Sequence, residues 1–277
     1  MLERTATYKT ARSDTLGDVE LKIDIFNPEN HAPTDRRSAI AFFFGGGWNS
    51  GSPSQFYPHC QYFASRGMVA MSAEYRVKNR HGTTPRECVK DGKSTIRWIR
   101  AHADVLGIAA NRIAAGGGSA GGHVAAATAT VESFDEDSEA QHISCRPDAL
   151  VLFNPVFDNG PGGFGYDRVQ EYWRSISPMH NIHEHTPPTI VFLGTEDKLT
   201  PTNCAEQYKQ RMDDLGCRCD LHLYSGQGHG FFNFANEKYF TATITEADRF
   251  LTSLGYLEGQ PELPDNLGAG ERQKDAL

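Results

Sequence analysis

Gly117-Gly118-Ser119-Ala120-Gly121 is the stretch on which the reading of this 277-residue chain turns. It follows the apolar run Ile113-Ala114-Ala115 and precedes Gly122-His123-Val124-Ala125-Ala126-Ala127, which suits a helix. A strand that reverses sharply into a helix strains the backbone at the turn. The flanking positions then have no room for a Cβ, so they must be glycine. The spacing predicts a nucleophile elbow. Its serine hydroxyl would stand at the tip, and the next N–H would open a helix end that favours negative charge. A plain glycine-rich turn has the same local sequence, so the partners of Ser119 decide the matter.

Outward from this motif the chain alternates two kinds of pattern. Val19-Glu20-Leu21-Lys22-Ile23-Asp24-Ile25 alternates apolar and polar residues, which predicts a half-buried antiparallel strand pairing with one near Ala6–Tyr8. Ala39–Phe44, Met68–Met71, Ile113–Ala115, Ala149–Phe153 and Thr189–Leu193 are continuous apolar runs, as in strands buried on both faces of a parallel sheet. Asp220–Tyr224 is the expected last strand, at a sheet edge. Three helical stripes fall between or after them. The first runs from Cys88 to Ala103 behind Pro85. The second runs through Ala205, Tyr208, Met212 and Leu215 to a C-cap at Gly216. The third comprises Phe240, Ile244, Ala247, Leu251 and Leu254. Eight strands, two antiparallel and six mostly parallel, with intervening helices predict a three-layer α/β domain.

In such a sheet, ligands bind at the carboxyl ends of the strands. A serine hydroxyl there is a poor nucleophile at neutral pH unless a base takes its proton and an acid orients the base. Of the 11 histidines, His229 is the expected base. It lies in Gly226-Gln227-Gly228-His229-Gly230-Phe231-Phe232, after the last strand, where glycines let the loop carry an imidazole over the sheet edge. His222 falls inside a strand pattern, and His180, His183 and His185 fall in a polar loop. They read as exposed or internally satisfied. Asp197 runs off a buried strand in Leu193-Gly194-Thr195-Glu196-Asp197 and is the expected acid, with Glu196 its adjacent rival. Gly45-Gly46-Gly47-Trp48 follows the Phe-rich strand, and its unhindered N–H groups can point at a developing oxyanion. The expected donors are Gly46, Gly47 and Ala120.

Composition narrows the partners. The net charge of −8 and the lack of a basic run exclude an electrostatic nucleic-acid surface. No stretch approaches the roughly 20 apolar residues of a membrane span. Met1-Leu2-Glu3-Arg4-Thr5 has no apolar leader, so a cytoplasmic location is expected. Six cysteines are scattered and read as reduced, mostly small apolar residues. Cys217 and Cys219 are too close for a zinc knuckle, and no metal site is expected. A homo-oligomer is compatible with the sequence.

The assembled motifs resemble the α/β-hydrolase superfamily. They are most similar to its carboxylesterase branch, which includes the hormone-sensitive-lipase-like esterases and the acetyl-xylan and feruloyl-esterase-like proteins. The resemblance is carried by the glycine triplet at 45–47, the Glu74-Tyr75-Arg76 strand end, the elbow at 117–121, Asp197 and His229, in the chain order serine, acid, histidine. Phe44 stands where the lipase-like family places a histidine before the triplet. The short stretch ahead of the triplet reads as strands, so a long helical N-terminal cap is not expected. A lid would come from 131–145 or 156–187. In the latter, Phe157, Phe164, Tyr166, Tyr172 and Trp173 either wall a substrate pocket or pack a long loop. The resemblance implies an α/β-hydrolase fold over 1–258, an eight-stranded mostly parallel sheet flanked by helices with a small cap or none, and a flexible tail over 259–277. It also implies a serine carboxylesterase acting without a cofactor on small-molecule esters of short acyl groups, including acyl groups on sugars. Trp48, Arg80 and His81 are the expected substrate contacts. A serine peptidase of the prolyl-oligopeptidase type, a lyase on the same scaffold and a non-catalytic binding protein are the competing readings.

Overall fold

The alternating stretch around Leu21 forms β2 (Gly17–Phe26), which pairs antiparallel with β1 (Arg4–Ser13) on one side. The architecture comes from a computed structural model that describes residues 4–264 and Leu267. The apolar runs become β3 (Arg37–Phe43), β4 (Val69–Ala73), β5 (Ile108–Gly118), β6 (Ala149–Phe153), β7 (Thr189–Gly194) and β8 (Cys219–Tyr224). The sheet order is β1-β2-β4-β3-β5-β6-β7-β8, and every neighbouring pair from β4 to β8 is parallel. Because β2 is antiparallel to β4 as well as to β1, it alone runs against the rest. The expected two antiparallel strands are therefore one reversed strand, with β1 turned back into the common direction by the hairpin.

The helices are α1 (Tyr57–Ser65), α2 (Lys78–His81), α3 (Pro85–Ala101), α4 (Ala120–Thr130), α5 (Trp173–Ile176), α6 (Thr202–Asp214) and α7 (Glu237–Ser253). The central strand β3 shows why there are two helical layers. Phe42 stacks toward Phe56 and Phe63 of the α1 side, while its neighbour Phe43 reaches Gly92 on α3. Successive strand residues point to opposite faces, so both faces of β3 are packed and all but its first residue are buried. On the first face α1 and α7 are joined through Asp248, which accepts from Tyr62 Oη at 2.8 Å and Arg66 Nε at 2.7 Å. On the second face α3 packs against α4.

The α3 N-terminus is a capping box: Thr84 and Glu87 satisfy each other's backbone N–H groups, and Pro85 stands at the first position. Two details depart from the sequence pattern. Leu215, expected on the buried stripe of α6, lies one residue past the helix and is 44 % exposed. α1 was not anticipated, because His59, Cys60, Tyr62, Phe63 and Ala64 are all buried and leave no polar face to set a helical period. All six cysteines are free. Most of the tail expected to be flexible lies outside the described residues. Within the described part, Leu267 is buried and belongs to the apolar core.

A buried ion cluster ties β1 and the β4 exit to α3. Asp91 is fully buried and accepts from Lys9 Nζ at 2.7 Å and from Arg76 Nε and Nη2, each at 2.8 Å. Burial pushes its carboxyl up, but Lys9 and Arg76 together hold it below the usual carboxylate range. Its contribution to stability is therefore complete above the unfolded-state value and is lost as pH falls through the folded one. Asp91→Ala would leave Lys9 and Arg76 with the partly exposed Glu136 as their carboxylate partner and should cost about 3 kcal/mol. A thermal midpoint within about 2 °C of wild type would contradict this account of the cluster.

Candidate active site

The elbow has the conformation its glycines imply. Ser119 sits between β5 and α4 with φ 55° and ψ −119°, a positive-φ backbone rare for a residue with a Cβ. The turn is this tight because it lies against the neighbouring strand: a Cβ on Gly121 would stand 2.0 Å from the Phe43 carbonyl oxygen. Ser119 N–H donates to the Phe153 carbonyl at 2.9 Å, and its own carbonyl accepts from His123 and Val156. The nucleophile candidate is thus anchored to the end of β6 and to the first turn of α4.

His229 and Asp197 converge on it. His229 Nε2 lies 2.9 Å from Ser119 Oγ, and His229 Nδ1 lies 2.7 Å from Asp197 Oδ2. Asp197 is fixed by the turn after β7: its Oδ1 accepts from the N–H groups of Leu199 and Thr200, and its Oδ2 also accepts from Thr200 Oγ1. Burial raises its carboxyl, but the bonds from His229 and from those N–H groups outweigh burial and hold it below the ordinary carboxylate range. An ionised carboxylate with these partners keeps the imidazole proton on Nδ1, leaving Nε2 free to accept. Glu196, the rival acid, is exposed, and its backbone N–H is bound to the Gln227 carbonyl.

The glycine triplet forms the loop facing the elbow. Gly46 has φ 122°, and a Cβ there would lie 2.3 Å from the Ser50 carbonyl oxygen. That carbonyl approach is what the triplet permits. Gly45 N–H is taken by Gln55 Oε1 at 2.6 Å, whereas among the described residues no protein acceptor takes the N–H of Gly46, Gly47 or Ala120. Tyr75 Oη donates to the Phe44 carbonyl at 2.6 Å, and the two rings stack with centroids 4.2 Å apart. The aromatic pair braces the loop in the place of the histidine the lipase-like pattern would supply.

The three expected substrate contacts fare differently. Trp48 has φ 59° and is 1 % exposed, with its indole edge-on to His123 and tilted against Phe164. The left-handed backbone turns the indole into the protein, so the expectation that it meets substrate is corrected. His81 is also buried and accepts the Val77 N–H through Nδ1, which makes it a brace for α2 and corrects the second expectation. Arg80 is exposed and donates to the Gly51 carbonyl, just beyond the triplet.

Four residues that the sequence reading did not single out organise the site. Gln55 bridges the triplet loop to Asn233, which in turn donates to the Gly230 carbonyl beside His229. Arg168, on the 156–187 segment, donates to the Gly47 carbonyl at 2.6 Å and lies over the Trp48 ring. Asn154, at the end of β6, contacts both His229 and Gly230. Of the two lid candidates, 131–145 is tied to α3 by Lys93 and Arg97 pairing with Asp135. The 156–187 segment is the one that leans on the triplet loop. Its aromatics mostly pack against protein: Phe157 stacks on Tyr208 of α6, Tyr172 meets Phe134 edge-on and Trp173 meets His180 edge-on.

A cavity of about 250 Å³ opens beside this assembly. Val156, bonded to the Ser119 carbonyl, and Thr200, bonded to Asp197, belong to its walls, as does Phe164 from beside Trp48. Asp158, Asn203 and Gln207 supply its polar lining.

Two family models match successive parts of the chain, BD-FAE over residues 23–158 and the dienelactone hydrolase family over residues 163–254. The solved structure of Thermogutta terrifontis esterase 2 phosphorylated by paraoxon is similar with a TM-score of 0.87 and 43 % identity, covering 93 % of this chain and 96 % of that one. The chain belongs to the α/β-hydrolase esterases. Among other members of this family, esterase LipC of Mycobacterium tuberculosis is 30 % identical over 72 % of this chain and 54 % of its own length. The acetylxylan esterase of Xylanibacter ruminicola is 27 % identical over 92 % of this chain and 53 % of its own. The chain thus spans about half the length of these two curated relatives. Among the described residues no helix is long and apolar enough to cross a membrane.

Proposed function

We propose that this α/β-hydrolase esterase is a serine carboxylesterase that cleaves short-chain acyl esters, including acyl groups carried on sugars, through Ser119, His229 and Asp197. One observation carries the reading: the continuous hydrogen-bonded chain from Ser119 Oγ through His229 to Asp197 at a strained strand–helix turn. In the first half-reaction Ser119 Oγ bonds to the ester carbonyl carbon while its proton passes to His229 Nε2. The carbonyl π pair moves to oxygen, where the N–H groups of Gly46, Gly47 and Ala120 receive it. Collapse of this adduct breaks the bond to the alcohol oxygen, which leaves with the proton from His229. Water, activated by the same imidazole, then hydrolyses the acyl-enzyme.

The cavity beside the triad is walled by neighbours of Ser119 and Asp197, and we read it as room for the part of the substrate beyond the reacting carbonyl. Its aromatic wall with carboxylate and amide side chains is the lining that suits a hydroxyl-rich partner, and the likeness to an acetylxylan esterase points the same way. The test is a panel of acylated sugars and aryl esters of graded acyl length, with an aminoacyl anilide as the peptidase control. Rates highest on the anilide, or an unsaturated product without an acyl-enzyme, would replace this reading with a peptidase or a lyase.

Two further outcomes follow from the site. Asp197→Asn keeps the shape but loses the charge that fixes the imidazole tautomer, so kcat should drop about 10³–10⁴-fold. A loss below tenfold would return the acid role to another residue. Because Asp197 is held ionised, the acid limb of kcat/KM should report protonation of the imidazole, with activity falling as pH is lowered. A flat profile on the acid side contradicts a histidine base.

A further inference from the structure

Asn154 closes β6 in a left-handed conformation, φ 33°, with its side chain fully buried. Its Oδ1 accepts the Gly230 N–H at 3.1 Å. A peptide N–H can only donate, so this bond settles which end of the amide is which. The amide nitrogen, Nδ2, therefore faces His229 Nε2, at 3.4 Å. The same ring nitrogen is the one that meets Ser119 Oγ.

With Nδ1–H committed to Asp197, Nε2 carries a lone pair in the resting site. The positive end of the Asn154 N–H dipole points at that lone pair. Once the serine proton arrives on Nε2, the contact becomes donor against donor. Asn154 thus favours neutral imidazole and opposes Asp197, whose charge favours imidazolium. We propose that Asn154 is a positioning residue that pins the His229 loop through Gly230 and keeps the imidazole ready to give up its proton. The inference rests on the Ser119–His229–Asp197 reading above. Asp197 is the charged group touching the ring. Glu196 and Lys198 flank it in the chain, and Asp158 and Arg168 stand on the 156–187 segment. All of these stay constant in the variants below.

Asn154→Asp keeps the acceptor for Gly230 and nearly the same volume, but turns a carboxylate toward Nε2. Asn154→Gly tolerates the left-handed backbone and removes both contacts. The pH profile of kcat/KM on p-nitrophenyl acetate, with separate kcat and KM and a thermal midpoint, reads both roles. The Asp variant should move the acid limb up by about one pH unit, with KM within about twofold. The Gly variant should move it in the same direction by about half as much and lower kcat about tenfold. A folded Gly or Asp variant whose acid limb coincides with wild type overturns the proposal, whatever its stability. A Ser119→Ala protein that keeps wild-type turnover would instead remove the triad reading, and this inference with it.

Discussion

Ser119→Ala should lower kcat by about 10⁴–10⁶-fold while leaving KM nearly unchanged. In the proposed mechanism the hydroxyl forms the bond in the first half-reaction, and no other side chain at the elbow offers a replacement nucleophile. Gly45, Gly117 and Gly118 present only backbone, and His123 is fully buried, its ring held neutral by burial that pushes it down to about 4. Residual turnover would come from the oxyanion donors and substrate positioning alone. The direct readout is the pre-steady-state burst of p-nitrophenol, which should vanish. Treating the wild-type protein with paraoxon and mapping the adduct by mass spectrometry should place it on the peptide containing Ser119. An adduct elsewhere, or a burst that survives the substitution, would move the nucleophile.

Gly121→Ala should be nearly as damaging, for a reason that has nothing to do with chemistry at the reacting carbon. The added methyl would meet the Phe43 carbonyl oxygen at 2.0 Å and the Phe44 carbonyl oxygen at 2.4 Å. Both belong to backbone that runs straight into the glycine triplet, so neither can swing aside as a side chain would. Relief requires the elbow and the triplet loop to separate, and that separation pulls Ala120 away from Gly46 and Gly47. Strain of this kind costs about 3 kcal/mol or more. For a chain of this size that is a fall of roughly 6–12 °C in thermal midpoint, with loss of most esterase activity even where the protein folds. A variant with the wild-type midpoint and rate would show that the two loops have slack that their packing does not reveal.

The triad shows how unevenly the sequence speaks. Ser119 was legible because a strand–turn–helix without room for a Cβ leaves glycines at fixed offsets. Asp197 was legible because it follows a buried apolar run, and His229 because it lies in a glycine-flanked loop after the last strand; both places are strand ends, where an open parallel sheet exposes side chains to a ligand. The choice of Asp197 over Glu196 rested on position alone, and it is the side-chain bonds to Thr200, Leu199 and His229 that separate them. Trp48 illustrates the opposite case. A tryptophan after three glycines invites a role in binding, but its direction depends on one backbone angle that no residue pattern encodes.

Arg168, Gln55 and Asn154 were invisible for a related reason. Each acts on a loop far away in the chain, and Gln55 on two loops at once, so their neighbours in sequence carry no trace of the partner. By itself, the order of residues determined the layered sheet, the tight turn at Ser119 and the chain order of its partners, since these follow from periodicity and from which backbone shapes a residue permits. Tertiary packing alone decided which way the indole and the imidazoles face, which N–H groups remain unclaimed and what braces the histidine loop. Those depend on side chains meeting across strands, where contact is set by distance in space and is independent of separation along the chain.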